Sequence, residues 1–189
     1  QIFVRMDDLN TAWANQVGGR IESGGSIRLQ GQSGTQAGTL LALNDVALGD
    51  ATRALNTLNV SGSVISQSGR IDASTGAGGT TVTGTLQAGT GVALNTSGAL
   101  TVTDGTVAAQ GGKAQLTSGS TLALQGTTTV QATDNAELNS TGNLTQASGA
   151  SVVSTAQQVS LTSSAGALDL AGKTTAHTVA TLQSATGTT

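Results

Sequence analysis

A chain of 189 residues with a formal charge of −3 and only 9% charged side chains lacks the clustered Lys and Arg of a nucleic-acid footprint, and its basic residues, Arg5, Arg20, Arg28, Arg53, Arg70, Lys113 and Lys173, are scattered. Aromatic residues make up 1%, Phe3 and Trp13 alone, so the side chains that fill an ordinary globule are missing and a thin core of Leu, Val, Ile and Ala is expected. The absence of cysteine excludes a disulfide framework and a thiolate metal site, and no apolar run approaches the ~18–20 residues of a spanning helix.

Residues 1–20 hold Phe3, Met6 and Trp13, the chain's large or flexible fillers, together with Asp7 and Asp8. They read either as a cap over an open end of the fold or as an irregular first coil. Over 21–55, strand-like pairs occur at Ile27 and Leu29, Leu41 and Leu43, and Val46 and Leu48. No single register joins them, and the polar segment from Gly31 to Gly38 reads as an inserted loop. From about residue 56 a regular repeat begins. Val60 to Val82, Val64 to Leu86 and Ile71 to Ala93 all span one interval, and its length falls in the range of solenoid repeats.

Three series of apolar residues then recur at that interval. Val92 and Leu94 are followed by Ala114 and Leu116, Ala136 and Leu138, then Val159 and Leu161, the second members stepping by 22, 22 and 23. Leu100 and Val102 are followed by Leu122 and Leu124, Leu144, then Leu168 and Leu170. The third series is Val64, Leu86, Val107, Val130 and Val152. Within a pair the apolar residues sit two apart, as on one face of a strand. Glycines keep the same beat in two files, Gly98, Gly119, Gly142 and Gly166, and Gly105, Gly126, Gly149 and Gly172. They are expected at corners, where positive φ would favour them.

Alternation with frequent turns also fits an antiparallel sandwich. A single fixed distance between corresponding strands favours parallel stacking instead, each coil lying on the one before it. The prediction is therefore an all-β, right-handed parallel β-helix (solenoid), with three short strands and about 22 residues per coil, as in repeat architectures. It covers 1–189 as one segment, with a cap or irregular coil over 1–20, less regular coils over 21–55 and the regular repeat over 56–189. A coil alone cannot bury its aliphatic side chains, so stability is shared between neighbours.

Chemistry-bearing motifs are sparse, and no catalytic, cofactor-binding or metal-ligating residue is nominated. His177 is the sole histidine, so a His-cluster metal site is excluded and any hydrolytic triad would depend on it, with Asp169 eight residues earlier. The later acidic residues Asp72, Asp104, Asp134, Glu137 and Asp169 read as lying at different phases of the repeat, unlike the facing carboxylates of a polysaccharide lyase or glycosidase. No phosphate-binding loop or calcium-binding repeat is present.

The segments Gly98-Ala99-Leu100-Thr101-Val102, Ser120-Thr121-Leu122-Ala123-Leu124, Ala136–Leu144 and Gly166-Ala167-Leu168-Asp169-Leu170 resemble the haemagglutinin repeats of two-partner-secretion exoproteins, filamentous haemagglutinin and contact-dependent growth-inhibition proteins among them. The resemblance covers about two thirds of the chain, from about Leu58 to Thr189. It implies a secreted or surface-attached bacterial rod, exported through an outer-membrane transporter of the two-partner type, that meets a host-cell glycan or protein receptor. No nucleic acid, membrane insertion, cofactor or enzymatic activity is expected, and the chain would be a segment of a longer monomeric rod. The Asn-Pro motifs of that family's secretion domain have no counterpart, as the chain lacks proline. Two other readings stay open: a carbohydrate-active β-helix enzyme or phage depolymerase, and an ice-binding β-helix. The threonine runs fall on different phases, which weighs against the latter.

Overall fold

The computed structural model describes residues 1–5 and 11–187. The described chain contains 24 strands and no helix, and every strand pairing among them is parallel. The strands fall on three faces. The first runs from Ile2–Arg5 to Ala180–Ser184, the second from Ala12–Asn15 to Leu168–Leu170, and the third from Arg20–Ser23 to Lys173–Thr175. One 12-residue strand, Ile71–Val82, passes from the first face to the second without leaving the sheet, with a register shift between Thr75 and Gly79. The result is a parallel β-solenoid of about eight turns.

Alternation decides which side chains enter the tube, because successive residues of a strand point to opposite faces. Leu94, Leu116, Leu138 and Leu161 stack directly on one another and are buried. Leu100, Leu122, Leu144 and Leu168 do the same on the second face, and Val64, Leu86, Val107, Val130 and Val152 on the third. Burying one such side chain contributes roughly 1.5–3 kcal/mol, realised only with a coil on each side. Leu182 continues the first file but is 47% exposed, in a strand with no partner on its far side among the described residues.

Several sequence expectations are corrected. The inward file of the first face passes through Ile2, Ile27, Val46, Ile71, Val92, Ala114, Ala136, Val159 and Ala180, the numbering stepping by 25, 19, 25, 21, 22, 22, 23 and 21. Ile71 therefore pairs with Val92, and Ala93 with Asp72. The uneven early steps are why no constant period could be held before residue 55. The expected loop at 31–38 contains the strand Ser33–Gln36, paired with Ala12–Asn15 and with Leu55–Val60. Its inward position carries Gly34 instead of an aliphatic, because the Trp13 indole fills the space where a Cβ would sit. Residues 1–5 and 11–20 belong to the first coil, with Trp13 buried inside and Phe3 outside beneath the Arg28 guanidinium. Met6, Asp7 and Asp8 lie outside the described residues.

The glycines also serve a different purpose from the one expected. Of the eight in the two files, only Gly126 has a positive φ. At the others the constraint is the coil beneath. A Cβ on Gly119 would stand 2.5 Å from the Ser97 carbonyl oxygen, and one on Gly149 2.7 Å from that of Gly126. A further glycine column, Gly19, Gly38, Gly62, Gly84 and Gly105, meets the preceding glycine's carbonyl oxygen at each level from Gly38 onward.

Where the chain turns inside the tube, hydroxyls satisfy the backbone. Thr75, Thr96, Ser118, Ser140, Ser163 and Ser184 form one inward file at the end of the first face. Ser118 Oγ lies 2.8 Å from the Gly98 and Thr121 carbonyl oxygens and accepts the Ser120 N–H. Ser163 Oγ donates to the Gly142 carbonyl at 2.7 Å and accepts from Gly166 N. A buried corner would otherwise leave these groups unpaired, at about 1–3 kcal/mol each.

Candidate functional site

Outward positions of the first face carry a concentration of charge in an otherwise weakly charged chain. Asp72, Ala93, Gln115 and Glu137 form one outward file. Arg70, Gly91 and Lys113 precede the inward residues Ile71, Val92 and Ala114 of three consecutive coils, which pair directly with one another. Long polar side chains thus stand on the coils above and below, while the coil between them has only Gly91 and Ala93. The missing side chains leave a solvent-open depression of about 240 Å³ lined by Arg70, Thr90, Gly91, Val92, Ala93, Lys113 and Gln115.

Both walls are held by ion pairs. Arg70 Nη2 is 2.7 Å from Asp72 Oδ1, and Lys113 Nζ donates to Glu137 Oε2 at 2.9 Å. The Arg70 backbone N–H donates to Asp45 Oδ1 at 2.9 Å. These four charged side chains remain between 25% and 54% exposed, so they are partly hydrated. Desolvation pushes the Asp72 carboxyl above the usual aspartate range, Arg70 pulls it back, and nearby Asp45 adds to the rise.

The common phase of Asp72 and Glu137 corrects the expectation that the acidic residues are out of register. They share a file three coils apart, which places their backbones about 14 Å from one another at a strand spacing of ~4.8 Å. Matching Ile71 to Ala93 hid this, since the true partner of Ile71 is Val92, one position earlier. Two-carboxylate glycoside hydrolysis uses carboxyl groups roughly 5–9.5 Å apart.

The other sequence candidates do not converge on this depression. Asp169 lies on the outside of the second face opposite Thr145, and exposed His177 follows the last third-face strand, its backbone N–H bonded to the Gln157 carbonyl. Asp134 is exposed, and its carbonyl accepts the Ser154 hydroxyl. Asp104 adopts a φ of 53° at a corner. Its Oδ1 accepts the Thr127 N–H at 2.8 Å and the Thr127 hydroxyl, holding its carboxyl below the ordinary range. It braces the next coil. Among the described residues no group of three or more His, Cys, Asp or Glu side chains could hold a metal ion, and no helix is long and apolar enough to cross a membrane.

The third face differs in character. Thr39, Ser63, Thr85, Thr106, Thr129 and Ser151 form an unbroken outward file, although the threonine runs themselves lie on different faces, Thr81 and Thr101 on the second and Thr129 on the third. The neighbouring outward file is mixed, with Leu41, Ile65, Gln87, Ala108, Gln131 and Val153.

Comparison with known proteins returns no match of three kinds: no family model, no curated protein and no solved structure.

Proposed function

We propose that this chain is a structural and adhesive shaft segment of a secreted bacterial surface protein, mediating attachment to host cells or other bacteria. The observation that supports the reading is the uniform stacking rule of the solenoid, in which aliphatic files fill the tube and a largely uncharged polar exterior faces water. Such a body grows in one dimension by adding coils and presents long side faces, the form suited to holding a contact away from a cell surface. The haemagglutinin-repeat resemblance supplies the rest of the proposal: export through an outer-membrane transporter of the two-partner type, a cell-surface or secreted location, and a glycan or protein receptor. The reading includes no enzymatic activity, in keeping with the wide Asp72–Glu137 separation. Beads coated with the purified chain are expected to adhere to epithelial or bacterial cells more than beads coated with a β-solenoid of unrelated surface. Equal adherence would overturn the reading.

A second reading has one observation in its favour. The six-hydroxyl file of the third face presents oxygens at the coil spacing, ~4.8 Å, as an ice-binding surface would. Its mixed neighbour file denies that surface a second hydroxyl rank. Thermal hysteresis of the purified protein decides between the two, and the shaft reading expects none.

A further inference from the structure

We infer that the depression over Gly91 and Ala93 is a subsite for one ring of a neutral saccharide. Three properties select that chemistry. The volume, about 240 Å³, falls below the roughly 300–1,000 Å³ of drug-sized ligand pockets and suits a single ring, while openness to solvent lets the rest of a glycan continue outside. The floor is Gly91, Val92 and Ala93, with no aromatic ring to hold a flat heterocycle and Val92 itself buried in the tube.

The walls are the third property. Arg70 and Lys113 supply charged donors, each neutralised by a carboxylate just outside the lining, Asp72 and Glu137, and Gln115 and Thr90 supply neutral groups of both kinds. The four charges sum to zero, so a phosphate, sulfate or uronate would meet a carboxylate beside each cation. A sugar hydroxyl both donates and accepts, so adjacent hydroxyls can bond a guanidinium and a carboxylate together through charge-assisted hydrogen bonds. The setting points the same way. Charged residues are 9% of this chain, yet two cation–carboxylate pairs gather on the coils that flank Gly91 and Ala93. Asp45 sits behind Arg70 and holds that strand's entry through the Arg70 N–H.

The subsite takes its purpose from the attachment reading, but its existence is measured independently of cells. The test is saturation-transfer NMR on the whole purified chain with the methyl glycosides of glucose, galactose and mannose, and with methyl glucuronide as the anionic control. At least one neutral glycoside is expected to receive saturation, with little to the glucuronide. Ala93→Gln extends a side chain into the depression from a position where the next coil already carries Gln115, so the fold is retained; transfer should fall at least about tenfold. Lys113→Met should weaken it as well, with an unchanged circular dichroism spectrum. The subsite is overturned by the absence of transfer to every neutral glycoside, by stronger transfer to the glucuronide, or by equal transfer to Ala93→Gln. Any of these leaves bead adherence as a separate measurement, so attachment through another face can stand or fall alone.

Discussion

Single residues in this molecule are chosen by what the adjacent coil does to them. Asp72 sits in a partly desolvated place, and that desolvation raises its folded pKa against the pull of Arg70. A raised carboxyl pKa means that the folded state favours the proton, and ionised Asp72 weakens the fold at neutral pH. Asp72→Asn is therefore expected to leave stability unchanged or raise it by up to about 0.5 kcal/mol at pH 7. The difference from wild type should narrow as pH falls through the raised pKa, as read by denaturant midpoints across pH. Asp50 is the opposite case. The Thr52 hydroxyl holds its carboxyl well below the usual range against some desolvation, helped by the Arg53 and Thr52 N–H groups and by Arg28. Its contribution is fully present above the unfolded aspartate pKa of about 3.9 and is lost as pH falls below that. Asp50→Asn should cost about 1 kcal/mol at pH 7 and progressively less in acid; a constant difference would contradict the assignment.

At the scale of strands and corners, the limiting quantity is the distance between stacked backbones. Gly119→Ala introduces no φ strain but drives a Cβ towards the Ser97 carbonyl, so a loss of about 2 kcal/mol is expected from overpacking. Gly24→Ala, with nothing within 4 Å of the added carbon, should be neutral or stabilising by up to about 1 kcal/mol. Similar midpoints for the two variants would refute the close-approach explanation. Strand positions are legible in the sequence wherever inward residues are aliphatic and the step is constant: Leu94, Leu116 and Leu138 announce their stacking by spacing alone. The strand Ser33–Gln36 is not legible, because Gly34 and Gln36 occupy its inward positions and no hydrophobic alternation remains. Trp13 explains Gly34, but only contact in three dimensions shows it. The charged depression stays hidden for a related reason, since a one-position change of step at Ile71–Val92 separates Asp72 from Glu137 in sequence phase while leaving them in one file.

As a whole, the molecule is a stack whose levels contact only their neighbours. Eight coils at ~4.8 Å give a body about 38 Å long. Deleting one complete level, residues 136–158, brings Val159 onto Ala114 and replaces one valid interface by another. That variant should fold, with cooperative unfolding and a length shorter by about 5 Å in small-angle scattering. Deleting only the first half of the same level, 136–146, sets corners over strands and turns following side chains to the wrong face, which should abolish cooperative unfolding. If both deletions behave alike, stability does not reside in the level-to-level contacts.

The burial of Trp13 against Gly34 gives the chain a built-in optical gauge. Its indole is the sole strong near-ultraviolet emitter, and it reports on the first coil and its neighbour alone, whereas the far-ultraviolet signal averages over every strand. If the stack frays from that end, emission will shift to longer wavelength at lower denaturant than ellipticity is lost. If fraying begins at the half-covered Leu182, the order will reverse, so two spectra of an unlabelled sample locate the weaker terminus.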